Sequence, residues 1–368
     1  MATIRWKRAD SYEEANNYIG ANGEVVVDLA ENRLWVYDGA NAYVTAAFTS
    51  QAGEYVAPYV WQGENAGYLG GGKKGSLGSG TSPSEVVQKF SFASDANAVD
   101  IAEFASPVLA GSQIINHDAS AAYFTGGQIQ KTPYASDECV QVDYSSGAPS
   151  NASEDGGEPW SSAEHGYYNE RGTIHKFPFA ITLPGIGSPT SWSAMPALPS
   201  SVRTNRNSST AQSETHGYKV MGRAPSPSSQ YRGTVAKYPF ASNTVYEDVG
   251  ELLNDPSARV YMAGASVGDK GLSMGGETSG GSIGSVCDAI AFSSDTLTAA
   301  ERYLGTNRGY GAGLSSTSAF YYAGGQGSPF SFTTTEILKS PAASGVNLTS
   351  TAYLVQAHLK SSTLGAND

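Results

Sequence analysis

Charge is in short supply in this 368-residue chain. Asp, Glu, Lys and Arg make up 15% of it, against about a quarter in an ordinary globular domain. The charge present leans acidic: 22 Lys and Arg against 34 Asp and Glu leave a formal net charge of −12. Such a chain repels phosphate backbones, which argues against nucleic acid as a partner. Cysteine is nearly missing as well. Cys139 and Cys287 are too few to staple so long a chain and lack metal-site spacing, so free thiols are expected. No apolar run approaches the ~18 residues of a membrane-spanning helix. No apolar stretch follows the opening MATIRWKRADSYEEANNYIG, so synthesis in a cytoplasm without a secretory leader is expected.

Glycine and tyrosine are abundant, at 43 and 22 residues. Gly-rich turns between short aromatic-bearing strands point to an all-β chain. One phrase, an aromatic, two spacers and a glycine pair, recurs as GYLGGG (Gly67 to Gly72), AYFTGG (Ala122 to Gly127), GYYNERG (Gly166 to Gly172), GYKVMGR (Gly217 to Arg223), GLSMGG (Gly271 to Gly276) and FYYAGG (Phe320 to Gly325). The third and fourth copies lack the double glycine, and the fifth has Leu272 for the aromatic. A second phrase follows each copy, clearest in VVQKFSFAS (Val86 to Ser94), TIHKFPFA (Thr173 to Ala180) and TVAKYPFAS (Thr234 to Ser242). Its aromatics align at Phe92, Tyr134, Phe179, Phe240, Phe292 and Phe332, an average spacing of about 48 residues, close to the ~50 of a kelch-type blade.

VVQKFSF and TVAKYPF alternate as half-buried strands do. A third phrase precedes each aromatic-glycine copy, as in VYMAGAS (Val260 to Ser266) and YVWQG (Tyr59 to Gly63), and a fourth follows, as in AVDIAEF (Ala98 to Phe104) and VYEDVGEL (Val245 to Leu252). Four strands per repeat make one propeller blade, and the glycines are expected to end an inner strand where backbones converge. The sequence therefore predicts a β-propeller of six four-stranded kelch-like blades, ahead of a β-solenoid or a two-sheet sandwich. The tail NLTSTAYLVQAHLK (Asn347 to Lys360) is a surplus strand signal that closes the ring or begins a seventh blade.

Residues 1–40 stand outside the repeat and are expected to form a small β attachment module, with 41–368 as the propeller. GEVVVDLAENRLWVYDG (Gly23 to Gly39) reads as two strands, Glu24 to Asp28 and Arg33 to Tyr37, with Val25, Val27, Leu34 and Val36 as the apolar positions. A two-stranded ribbon is marginal alone, so this face needs a neighbour. The densest basic cluster, Arg5, Lys7 and Arg8, lies in the same segment.

The GEVVVDLAENRLWVYDG segment resembles the N-terminal module of phage tail fibres and tropism determinants. The GY-x-x-GG, KFPFAS and D-V-G phrases, in fixed order, resemble repeats in virion proteins of marine phages, those of cyanobacteria above all. The resemblance implies a bacteriophage virion protein, a tail fibre, other appendage or capsid-surface knob. It would be made in the host cytoplasm, held to other virion proteins through Arg5, Lys7, Arg8, Val25, Val27, Leu34 and Val36, and present as a homo-oligomer within the particle.

Motifs for catalysis are missing: there is no G-x-S-x-G, P-loop, H-E-x-x-H or sialidase-type S-x-D-x-G-x-T-W box. His165 and His216 precede the Gly-Tyr of their repeats and are read as strand-end residues copied with the repeat rather than a shared metal site. The recurring Asp95, Asp100, Asp137, Asp143, Asp248 and Asp288 are read as turn residues. No catalytic residue, cofactor or metal is expected. Surface recognition is left, with a host glycan or protein as partner, through aromatics in Gly/Ser-rich segments: Trp160, Trp192, Tyr303 and Tyr310. The competing readings are a particle-borne polysaccharide-degrading enzyme and a cellular propeller scaffold.

Overall fold

In a computed structural model, the described residues are 62–71, 73–74, 82–104, 114–117, 120–125, 129–142, 144–146, 158–170, 173–179, 190–191, 193–194, 209–223, 231–242, 247–251, 259–327, 333–357 and 365–366, and, as backbone strands, 5–9, 24–28, 33–37 and 42–47. The chain divides into two compact units, Met1–Val56 and Ala57–Asp368.

The first unit is one four-stranded sheet. Glu24–Asp28 and Arg33–Tyr37 form the expected antiparallel pair, with Val25 opposite Val36 and Val27 opposite Leu34. Arg5–Ala9 lies parallel to the first of them, which places Arg5, Lys7 and Arg8 on a sheet strand. Ala42–Ala47 adds the fourth strand, beyond the residue-40 boundary read from sequence.

The second unit is built of small antiparallel sheets, and the only helical turn among its described residues is the 3-10 segment Ala342–Ser344. Six of its sheets have four strands. Sheet I comprises Gly365–Ala366, Ala66–Gly70, Val86–Ser91 and Val99–Glu103; sheet II, Ile114–His117, Ala121–Thr125, Ile129–Pro133 and Val140–Val142; sheet III, Glu158–Ser161, His165–Glu170, Thr173–Pro178 and Ser193–Ala194. Sheet IV comprises Ser209–Gln212, His216–Arg223, Tyr231–Pro239 and Glu247–Glu251; sheet V, Ala263–Val267, Lys270–Met274, Val286–Ala291 and Thr296–Tyr303; sheet VI, Ala312–Ser315, Ala319–Ala323, Glu336–Pro341 and Thr349–Tyr353.

The repeated phrases are the second and third strands of these sheets. Their side chains alternate between two faces, and both faces are covered. In sheet I, Tyr68, Val87 and Phe104 pack with Ala122, Phe124 and Tyr134 of sheet II, while Leu69, Phe90 and Phe92 pack with Leu314, Tyr321 and Ile337 of sheet VI. Sheet III meets sheet IV through Trp160, Tyr167, Tyr238 and Phe240. Sheet IV meets V through Tyr218, Val235 and Phe292, and V meets VI through Leu272, Cys287, Phe320 and Leu338. Sheets II and III are joined by Tyr123 stacked on Phe179, ring centroids 4.8 Å apart.

The first strands approach one another backbone to backbone. A Cβ on Gly264 would lie 1.8 Å from the Thr210 carbonyl oxygen, and one on Gly313 would lie 1.9 Å from that of Gly264, so only glycine fits. A polar seam runs along the same strands. The amides of His117, Ser161, Gln212 and Ser266 donate in turn to Ser161 Oγ, Gln212 Oε1, Ser266 Oγ and Ser315 Oγ at 2.8–3.1 Å. These buried amides at strand ends are thereby satisfied by the next sheet.

Four sequence expectations change. The third strand of sheet VI is Glu336–Pro341, so Ala342, not Phe332, holds the sixth aromatic position; Phe332 is outside the described residues. The tail supplies Thr349–Tyr353, the fourth strand of sheet VI, rather than a surplus strand. The first strand of sheet I is not YVWQG but Gly365–Ala366, paired with Gly67 and Ala66; Gly63 makes only an isolated bridge to Ser316, and Tyr59 to Trp61 lie outside the described residues. The paired glycines after second strands do meet backbone, a Cβ on Gly275 lying 2.3 Å from the Arg308 carbonyl oxygen and one on Gly325 2.6 Å from that of Gly309, but the closer convergence is at Gly264 and Gly313 in first strands.

Candidate functional site

The most frequently repeated residues act between sheets. Each described phrase aromatic packs on the second-strand Tyr of the preceding sheet: Phe92 on Tyr321, Phe179 on Tyr123, Phe240 on Tyr167 and Phe292 on Tyr218 stacked, and Tyr134 on Tyr68 tilted by 34°, with centroids 4.8–5.0 Å apart. The Lys of KF, KT, KY or KS lies over the same Tyr ring: Lys89, Lys131, Lys176, Lys237 and Lys339 sit 5.3–5.8 Å from their ring centroids. At three seams an Asp from the next sheet's turn completes the group. Asp137 takes Tyr68 Oη (2.9 Å) and Lys89 Nζ (3.1 Å), Asp295 takes Tyr218 (3.0 Å) and Lys237 (2.8 Å), and Asp95 takes Tyr321 (3.2 Å) and Lys339 (2.5 Å). All three Asp residues have a positive φ, 49–54°, a turn conformation that Asp tolerates better than most residues. Asp95 and Asp137 are turn residues, as read, Asp295 is a third that was not singled out, and all three are inter-sheet anchors. Of the other Asp residues read as turn residues, Asp100, Asp248 and Asp288 lie on strands, and Asp143 is outside the described residues.

The three described aromatics chosen from sequence, Trp160, Tyr303 and Tyr310, lie at separate places, in sheet III, in sheet V and just before the first strand of sheet VI. Trp160 is not a loop aromatic: it is 1% exposed in the first strand of sheet III, stacks on Tyr238 and donates its indole N–H to the Tyr218 carbonyl at 3.1 Å. Trp192 is outside the described residues. Tyr303 is 42% exposed at the end of the fourth strand of sheet V. Tyr310 is buried. The attachment residues Arg5, Lys7, Arg8, Val25, Val27, Leu34 and Val36 all fall on strands of the first unit. His165 and His216 start the second strands of sheets III and IV, and their amides donate to Ser162 and Ser213 Oγ in the preceding turns. Burial and the nearby Lys176 hold the His165 imidazole below its ordinary range. Among the described residues no three His, Cys, Asp or Glu side chains are placed to hold a metal ion.

One constellation is built around Tyr310. Arg259-Val260-Tyr261 and Arg308-Gly309-Tyr310 occupy the same place in two successive repeats, just before the first strands of sheets V and VI. Each Arg starts a short ladder, Arg259–Val260 with Glu277–Thr278 and Arg308–Gly309 with Gln326–Gly327. Each is buried against a carboxylate, Arg259 on Asp288 and Arg308 on Glu336. Tyr261 and Tyr310 then turn out of the ladder with φ of 59° and 61°, a left-handed conformation costing a bulky residue about 1–3 kcal/mol. The rings stack at 3.9 Å, the Tyr310 amide donates to the Tyr261 carbonyl at 2.8 Å, and the Tyr310 hydroxyl donates to Glu277 Oε2 at 2.6 Å. Tyr261 and Glu277 remain partly exposed. Burial and the Glu277 carboxylate push the Tyr310 hydroxyl above its ordinary range, so it stays a neutral donor and not a phenolate nucleophile. Sequence reasoning found Tyr310 but missed Tyr261 and Glu277; the R-x-Y doublet in matching register was the available signal.

No protein-family model matches the chain, and no curated protein matches it. Among solved structures it is similar to that of YjhT, with a TM-score of 0.41 and 11% identity over 52% of this chain and 66% of that one. The chain thus spans slightly under two thirds of YjhT.

Proposed function

We propose that the second unit is a closed six-bladed β-propeller and that the chain is a bacteriophage virion component presenting it to the host surface, held to the particle by the first unit. The observation that carries the propeller is the order of sheet neighbours. Each sheet packs on the next, sheet VI packs on sheet I, and Gly365–Ala366 from the far end of the chain supplies the first strand of sheet I. A ring that buries both faces of every sheet is stable on its own and offers its loops as a rigid display surface. The place in a virion rests on the resemblance of GEVVVDLAENRLWVYDG and the repeat phrases to phage tail-fibre and marine-phage virion proteins. The engagement of Asp95, Asp137 and Asp295 in inter-sheet anchors supports a structural rather than hydrolytic role for these carboxylates.

The test is to delete residues 1–56. The remaining chain should stay soluble and folded, while mass spectrometry of purified particles should no longer find it. Normal incorporation of the truncated chain would overturn the division of labour, and absence of the full chain from particles would overturn the virion assignment. New reducing ends on host envelope polysaccharide after incubation with the protein would favour the enzymatic reading instead.

A further inference from the structure

We infer that the Tyr261–Tyr310 stack with Glu277 is a glycan-binding platform selective for neutral pyranosides, with Tyr261 as the stacking surface. This deepens the host-recognition reading above and rests on it for its biological role, though not for its chemistry. Four observations converge. Two successive repeats hold a Tyr in the left-handed region at the same register, a strain that persists only where surrounding structure enforces it. Here the Gly275–Gly276 bend does so: Gly276 N–H donates to the Arg308 carbonyl at 2.8 Å, fixing one repeat's ladder against the next. The buried Tyr310 ring backs Tyr261 at 3.9 Å and is itself tied to Glu277, so the platform is rigid before any ligand arrives and little ordering entropy is lost on binding. Tyr261 keeps part of its surface exposed, and a Tyr face matches the apolar C–H face of a pyranose while a carboxylate beside it accepts sugar hydroxyls.

Local charge sets the selectivity. Arg259 and Arg308 are each buried and engaged by Asp288 and Glu336, so among the described residues no cation is ion-paired with the Glu277 carboxylate beside the stack. A sugar acid brought here meets like charge. Neutral hexosides are therefore favoured over uronates of the same ring.

Saturation-transfer NMR and titration with the full chain provide the test, using methyl glucoside, methyl galactoside, methyl mannoside and the methyl glucuronide as probes. At least one neutral glycoside should bind with a Kd on the order of millimolar, as expected for a single stacked sugar, and the glucuronide should bind more weakly. Tyr261→Ala should weaken binding about tenfold or more, Tyr261→Phe should retain it, and Glu277→Gln should narrow the gap between neutral and acidic sugars. Circular dichroism identifies a variant that has not folded. In that event the Phe and Gln variants and the wild-type saturation pattern decide the matter. Failure of every neutral probe to bind, unchanged binding by a folded Tyr261→Ala chain, or tighter binding of the glucuronide would each overturn the inference. Particle composition is read separately. A chain missing from particles that still binds neutral glycosides refutes the virion role alone, and a chain found in particles that binds none refutes the platform alone.

Discussion

Five of the six seams between sheets are held one way, and the seam between sheets V and VI another. At the five, a second-strand Tyr contacts both the next sheet's phrase aromatic and its own sheet's Lys. At the sixth, every member of that group is absent. Leu272 stands for the Tyr, Ala289 for the Lys, Ala342 for the aromatic and Gly345 for the Asp. Gly345 keeps the left-handed turn, φ 60°, without the carboxylate. In place of the group is Arg302, 1% exposed. Its guanidinium lies over the Phe320 ring, 5.1 Å from the centroid, and donates to Ser340 Oγ (2.5 Å) and the carbonyls of Pro341 and Ala342 (both 3.0 Å). The stack, the cation–π contact and the anchor vanish together because each needs the Tyr ring. Arg302 satisfies polar atoms on the facing sheet and lies over the ring of Phe320, which stands where other sheets have the Gly67 and Gly271 that a phrase aromatic covers.

Arg302→Ala should therefore give the largest effect of any seam substitution. It opens a cavity, removes the ring contact and takes a donor from two part-buried carbonyls, a loss of about 3–5 kcal/mol. Urea unfolding should report that loss, and hydrogen exchange should localise it to strands Thr296–Tyr303 and Ala319–Ala323. A loss below about 1 kcal/mol would mean that Leu272 and its neighbours hold the seam without the cation.

Much of the ordinary seam was legible in the sequence and almost none of the exceptional one. Repetition marked Tyr68, Lys89 and Phe92 and their counterparts as important, but it does not reveal that a residue's partner sits in the next repeat. Arg302 occurs in no repeat phrase, so nothing in the sequence marked it. Trp160 was misread because its strand, Glu158–Ser161, is four residues long and follows a Gly- and Ser-rich stretch, where an aromatic looks like a loop residue. Gly365–Ala366 lies some three hundred residues from its partner strand, beyond the reach of any local pattern. Tyr261 was hidden because a left-handed φ on a bulky residue is imposed by tertiary contacts and leaves no compositional trace.

The aromatic stacks come second in expected size. Phe240→Leu keeps most of the buried apolar area but loses the ring over Tyr167, so it should cost about 1–2 kcal/mol. Phe92→Leu and Phe292→Leu should cost similar amounts at their own seams. A loss at Phe240 matching that of Arg302→Ala would erase the distinction drawn between the two kinds of seam.

The Asp anchors should matter less. Asp137 is 30% exposed and Lys89 21%, so solvent screens the pair, and Asp137→Asn should cost less than about 1 kcal/mol. Asn also tolerates the positive φ, which leaves charge as the only thing removed. The seams at Tyr123 and Tyr167 show how little the carboxylate is needed: their hydroxyls donate instead to the Phe179 and Phe240 carbonyls, at 3.4 and 3.5 Å. Melting curves at low and high salt should show the Asp137→Asn deficit shrinking as salt rises.

Alkaline pH should reveal the Tyr321 hydroxyl of the VI–I seam by the smallest measurable margin. Burial, then the Asp95 charge, raises the Tyr321 hydroxyl above its ordinary range. Burial alone would lower the Lys339 ammonium, but its hydrogen bonds to Asp95 and Tyr321 outweigh that and hold it raised. A raised folded pKa means the folded state keeps its proton where the unfolded chain gives it up. The stability from both groups is thus complete below the unfolded values of about 10 and 10.4 and drains away as pH climbs past them through the folded ones. Arg302 does not titrate in this range, but burial also raises the Cys287 thiol and the Tyr322 hydroxyl of the V–VI seam. That seam therefore shares the alkaline loss, and only a variant at Tyr321 isolates the VI–I contribution. Tyr321→Phe keeps the stack on Phe92 and removes only the hydroxyl, so at pH 7 it should cost less than about 1 kcal/mol. Between pH 9 and 11 the wild type should lose stability faster than the variant, and the gap between them should close. If the two chains instead lose stability in parallel, the alkaline weakness does not lie at Tyr321.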